Sequence, residues 1–119
     1  MAKPHHKLNV WQRAMAFVKD IYQVTARFPE EEKFGLVSQM RRAAISIPSN
    51  IAEGAARNTH REFVHFLHIA QGSISELETQ LIISKDLGLI SEESCQKIIA
   101  ELDEISKMVV GLQKSLTKH

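Results

Sequence analysis

The sequence predicts an all-α fold, an antiparallel up-down-up-down four-helix bundle. Three observations carry this. Apolar residues recur at alternating steps of three and four in four separate segments. Only five Gly and three Pro interrupt 119 residues, which favours long regular elements. The length fits one domain, since single domains typically run to ~100–150 residues, and 44% hydrophobic residues can fill one core.

Residues 1–8 are polar and basic and read as a loose N-terminal arm. Residues 9–119 then form a single bundle domain. The first helix is expected from Asn9, as N-cap, to Phe28. It carries two apolar stripes one residue apart. One is Trp11, Met15, Val18, Tyr22, Thr25; the other is Val10, Ala14, Phe17, Ile21, Val24, Phe28. Pro29 stops it, because Pro disfavours αR backbone at the preceding residue.

The second helix starts near Phe34, with core stripe Val37, Met40, Ala44, Ile47, Ile51. Pro48 removes a backbone donor and crowds the Ala44 carbonyl, which predicts a kink or a break near that point. Ser49 or Asn50 would cap a restart. The segment is expected to end around Arg57-Asn58.

Thr59, or Asn58, then caps the third helix, with Glu62 placed for a capping box on Thr59. Phe63, Leu67, Ala70, Ile74, Leu77 and Leu81 form its core stripe, and Gly88 its left-handed C-cap. Ser91 opens the fourth helix, whose stripe is Ile98, Leu102, Ile105, Val109, Leu112, Leu116. Spacing near 3.5 favours bundle-type packing, and short connections make neighbours antiparallel.

Apolar residues remain after the core is assigned. Phe17 on the first helix, Ile45 on the second, and Ile69, Gly72 and Ile83 on the third are candidates for an intermolecular interface. Gly72-Ser73 would let another helix approach closely. The competing reading is a wide core stripe with scattered surface apolars, which are normal.

The formal net charge of +1 hides an uneven spread. Residues 1–75 carry a net +4 and residues 76–119 a net −3. Lys33, Arg41, Arg42, Arg57 and Arg61 are opposed within their segment only by Glu53, and are the candidate contacts to nucleic-acid phosphates. A solvated face with Glu53 pairing Arg57 one helical turn on is the plainer alternative.

No apolar run suggests a secretory signal or a membrane span, so a cytoplasmic protein without a membrane partner is expected. The single Cys95 excludes an internal disulfide and fits the fourth core stripe. Glu62-x-x-His65, with His60 and His68, has the spacing of a di-iron bundle ligand pair. A second such motif is missing, so a metal-dependent bundle enzyme is the remote alternative. No catalytic residue, metal or cofactor is expected.

The second helix also carries a distinctive run: Phe28-Pro29, Gly35-Leu36, Gln39, Arg42-Ala43, Ser46-Ile47-Pro48, Asn50-Ile51-Ala52-Glu53-Gly54, Arg57. With Phe63, Phe66-Leu67, Gly72-Ser73 and Glu76-Leu77, it resembles the four-helix-bundle proteins encoded in intervening sequences of bacterial 23S ribosomal RNA genes. It is also similar to the accessory variability protein of diversity-generating retroelements. The resemblance implies a homo-oligomeric ring, typically of five subunits, with RNA or a reverse-transcriptase-like protein as further partners. It implies no catalytic residues. Ser46, Pro48, Asn50, Glu53 and Gly54 are the motif positions, with a structural role expected. Ser46 or Asn50 would satisfy polar groups around Pro48, Glu53 would pair with Arg42 or Arg57, and Gly54 would admit a neighbouring helix at a subunit contact. A protein-interaction scaffold without nucleic-acid binding is the alternative function.

Overall fold

A computed structural model describes residues 2–118. Four helices, α1 (Asn9–Thr25), α2 (Ser38–Ala55), α3 (His60–Asp86) and α4 (Glu92–Thr117), form the bundle. Each packs on its neighbours in sequence, and α1 closes the arrangement more sparsely against α4. The predicted stripes of α2, α3 and α4 supply the core. Met40, Ala44, Ile51, Leu67, Leu77, Leu81, Ile105 and Val109 are fully buried.

The core stripe of α1 is Val10, Ala14, Phe17, Ile21, continued by Phe28 beyond the helix. The other stripe leaves Met15 and Tyr22 exposed, while its Thr25 is buried and Trp11 and Val18 pack against the core. Phe17 is therefore a core residue, 1% exposed, and not an interface residue as the sequence suggested. The two stripes have equal periodicity, so only packing chooses between them.

Several boundaries differ from expectation. Leu8, not Asn9, is the N-cap of α1, and no side chain caps it. The expected loose arm includes a 3-10 turn, Pro4–Lys7, whose His5 and His6 rings pack edge-on or tilted against Trp11. Met1, at the start of the arm, lies outside the described residues, as does His119. The helix α1 ends at Thr25 rather than Phe28, and Glu30–Glu32 form a 3-10 turn. A turn of π-helix, Lys33–Val37, leads into α2. It widens the backbone and leaves the Phe34 side chain 89% exposed.

Pro48 does not break α2; the helix is continuous from Ser38 to Ala55. Pro48 is buried at the heart of the bundle, where packing outweighs the lost helical hydrogen bond.

The helix ends follow the predicted chemistry. The Thr59 hydroxyl accepts from the Glu62 backbone N–H at 3.1 Å. The Glu62 carboxylate accepts from that hydroxyl rather than completing a full capping box. Ser91 accepts from the Ser94 N–H at 3.0 Å. At the end of α3, Gly88 has φ 77°, and Leu89 N–H bonds to the Ser84 carbonyl at 2.8 Å. Gly88 N–H bonds to the Lys85 carbonyl at 3.0 Å, completing a Schellman motif. No helix is long and apolar enough to cross a membrane among the described residues.

Candidate functional site

The motif of α2 builds the α2–α3 interface. Asn50 Nδ2 donates to the Ser46 carbonyl at 2.8 Å and to Ser46 Oγ at 2.9 Å. The Ser73 hydroxyl donates to Ser46 Oγ at 2.8 Å, carrying the chain across to α3. Asn50 therefore serves the Ser46 carbonyl, not the Ala44 carbonyl freed by Pro48. Glu53 pairs with Arg57 at 3.3 Å, not with Arg42. The Arg57 guanidinium also lies over the Phe66 ring, 4.7 Å from its centroid.

Gly54 is buried where α2 meets the first turn of α3. A methyl group there would lie 2.7 Å from Phe63 Cδ1, 3.0 Å from Phe66 Cβ and 3.1 Å from the Phe63 carbonyl oxygen. The neighbouring helix that Gly54 admits is α3 of the same chain.

The five basic candidates do not form one patch. Lys33, Arg41 and Arg42 share a groove of about 320 Å³ with Tyr22, Phe34 and Ile45. Arg57 and Arg61 lie at the other end of α2 and the start of α3. From Arg42 to the end of α2 at Ala55 the helix rises roughly 20 Å at 1.5 Å per residue, and Arg57 lies beyond it.

Arg41 is committed to structure. Its Nε donates to Thr25 Oγ1 at 2.9 Å and its Nη2 to the Tyr22 carbonyl at 3.2 Å, covering the C-terminal turn of α1. It also stacks on Tyr22, 4.3 Å from the centroid. Lys33 pairs with Glu30 at 3.9 Å. Arg42 and Arg61 are exposed and form no ion pair among the described residues.

Ile45, Ile69 and Ile83 are 40–42% exposed, as expected for spare apolar positions. Gly72 is exposed and has open space around it. Ser73 is not available beside it, because it is buried against Ser46.

The polar histidines have ordinary surroundings. His68 Nδ1 is 3.2 Å from Gln113 Nε2, and His65 packs edge-on to Phe66. Among the described residues no three His, Cys, Asp or Glu side chains gather as metal ligands. Cys95 is buried, 3.6 Å from the Leu81 carbonyl, and burial raises its pKa.

Two features escaped the sequence reading. Phe34 and Tyr22 place aromatic rings among Lys33, Arg41 and Arg42; in the sequence Tyr22 belongs to a stripe and Phe34 only opens a helix. The second feature is a groove of about 570 Å³ between α1 and α4. Phe17, Val24 and Ile98 line it, with Asp20, Glu101 and Glu104 against the single Lys97. Glu101 is held there by Arg13, whose guanidinium grips both its oxygens, at 3.1 and 2.6 Å. Residues 88 apart in sequence leave no local pattern to reveal that pair.

The profile of the 23S rRNA-intervening sequence protein family matches residues 6–111. A crystal structure of a protein of unknown function from the S23 ribosomal protein family of Bacteroides thetaiotaomicron superposes with a TM-score of 0.79. It is 25% identical, and the match covers 88% of this chain and 98% of that one. No curated protein sequence matches.

Proposed function

The chain belongs to the 23S rRNA-intervening sequence protein family, and on that premise we propose a non-enzymatic bundle that associates with copies of itself and supports RNA or a ribonucleoprotein. The observation that carries self-association is apolar surface left over after the core is complete. Met15, Tyr22, Phe34, Ile45, Ile69, Ile82, Ile83 and Leu87 are 37–89% exposed, although the bundle closes without them. Exposed apolar surface on a soluble protein is where interaction sites form. The resemblance of the sequence to ring-forming relatives supports five subunits. Mass measurement in solution at micromolar concentration tests this, and a monomer of 13.5 kDa overturns it.

The RNA reading rests on the groove where Tyr22 and Phe34 lie among Lys33, Arg41 and Arg42. Aromatic rings beside cations are the usual platform for single-stranded bases and their phosphates. Dispersal of the other arginines makes this a small footprint. RNA affinity across a salt series is the test. Binding that weakens with salt supports the reading; no binding at low salt favours a protein scaffold alone.

A further inference from the structure

We infer that the polar groove between α2 and α3 reads guanine in single-stranded RNA, through the Glu76 carboxylate and one hydroxyl donor left over by Ser46 and Ser73. This rests on the RNA reading above and adds a base preference to it. The groove measures about 420 Å³ and is lined by Gln39, Arg42, Ala43, Ser46, Ser73 and Glu76. Arg42 also lines the aromatic groove of Tyr22 and Phe34, so the two grooves meet at that residue. A strand with one base on those rings passes Arg42 and reaches the α2–α3 groove with the next.

The helix register sets the layout. Ser46 meets Ser73 at 2.8 Å, and Met40 Sδ meets Ser84 Oγ at 3.5 Å, so α2 and α3 run antiparallel. Arg42 and Glu76 then stand on opposite walls, roughly 6 and 4.5 Å along their helices from the serine pair at 1.5 Å per residue. Both are exposed, and they form no ion pair with each other or with any described residue.

Proton bookkeeping leaves one donor in the groove. The two hydroxyls carry two protons, and the contact between them uses one. Asn50 Nδ2 donates to Ser46 Oγ and to the Ser46 carbonyl, so the Asn50 amide presents its N–H side and cannot accept the other. That spare O–H needs an acceptor from outside. Beside it, buried Gln80 holds Glu76 Oε2 through its Nε2 at 3.1 Å. Gln80 Oε1 is buried without a partner among the described residues, so orienting Glu76 is the one polar contact its side chain makes. Ser73 and Glu76, three residues apart on α3, are neighbours on one helix face.

Two oriented acceptor oxygens beside one donor complement the base-pairing edge of guanine. Its N1–H and N2–H2 are adjacent donors, and its O6 is the acceptor next to them. Adenine, cytosine and uracil each set at least one acceptor against the carboxylate. Arg42, between the two grooves, is left for the phosphate.

Short uridine oligomers carrying one central guanosine, inosine or adenosine test this by fluorescence anisotropy at low salt. The guanosine oligomer is expected to bind roughly tenfold more tightly than uridine alone, the discrimination of one bidentate base contact. Inosine lacks the N2 amine and should lose most of that gain. Glu76→Gln should remove the preference and leave affinity for the uridine oligomer unchanged, whereas Arg42→Ala should weaken every oligomer alike. Circular dichroism melts check that both variants remain folded. Equal affinity for all the oligomers overturns the guanine reading and leaves RNA binding standing. Inosine bound as tightly as guanosine, or a guanosine preference that survives Glu76→Gln, also overturns it. No binding of any oligomer overturns both readings.

Discussion

A methyl group on Gly54 would sit 2.7 Å from Cδ1 of Phe63, closer than packed carbon atoms approach. The contact fixes the corner between α2 and α3. The Phe63 carbonyl oxygen, at 3.1 Å from the same point, is backbone and cannot swing aside.

Gly54→Ala is therefore expected to destabilise the protein. Alanine gains about 0.8–1 kcal/mol in helix propensity. Overpacking costs typically 1–3 kcal/mol, and here backbone stands in the way. The net loss should be about 1–2 kcal/mol. Urea denaturation measures it. Phe63→Leu in the Gly54→Ala background should recover part of the loss, and no recovery would remove Phe63 from the explanation.

Asn50→Ala removes two hydrogen bonds to Ser46 at a half-buried position. A loss of about 1–2 kcal/mol is expected. Ser46→Ala and Ser73→Ala should each destabilise the chain, and the double variant should cost less than the two together. Removing both partners leaves no unsatisfied group behind. Strict additivity in thermal melts would mean that the hydroxyls are not coupled.

Arg41 and Arg42 are neighbours with opposite expected phenotypes. Arg41→Ala uncovers the C-terminal turn of α1 and should cost about 1–2 kcal/mol. Arg42→Ala should leave stability within about 0.5 kcal/mol of wild type. If RNA binds this face, Arg42→Ala should lower affinity and reduce the salt slope by roughly one. Equal stability losses in both variants would contradict the assignment.

Burial raises the Cys95 pKa above the ordinary thiol value of 9.0. The folded chain favours the neutral thiol. Its contribution to stability is complete below that value and declines as the pH rises through it toward the folded pKa. Cys95→Val should accordingly lose less stability than wild type between pH 8 and pH 10 (roughly, the window set by an ordinary thiol). Identical profiles would mean that Cys95 does not contribute. Thiol labelling at neutral pH should likewise be slow in the native protein and fast in urea.

Self-association should depend on salt as well as on apolar surface. Exposed charges at the edge of an apolar interface are screened at high ionic strength. Raising salt should weaken the oligomer modestly without dissolving it. Complete dissociation in moderate salt would assign the interface to charge rather than to exposed apolar side chains.

Helix period, caps and most core positions were legible in the sequence because they are local. Thr59, Ser91 and Gly88 act on backbone within a few residues, and the stripes of α2, α3 and α4 each have one possible inward face. The candidate interface was only half legible. Ile45, Ile69 and Ile83 are exposed because they lie off those stripes. Phe17 could not be placed, since α1 has two stripes of equal period and the choice depends on what packs against it. The basic residues were close in sequence but not in space, because the length of α2 separates Arg42 from Arg57.

The sequence by itself determined an all-α bundle, the caps of α3 and α4 and the core stripes of α2, α3 and α4, because these follow from spacing and backbone chemistry. Only the tertiary structure decided the rest. It assigned the Ser46-to-Gly54 motif to the α2–α3 contact within the chain and committed Arg41 to the end of α1. It also opened a recess between α1 and α4 bounded by residues seventy or more positions apart. Each of these depends on which surfaces meet, and pairings between distant helices leave no periodic trace in either helix alone.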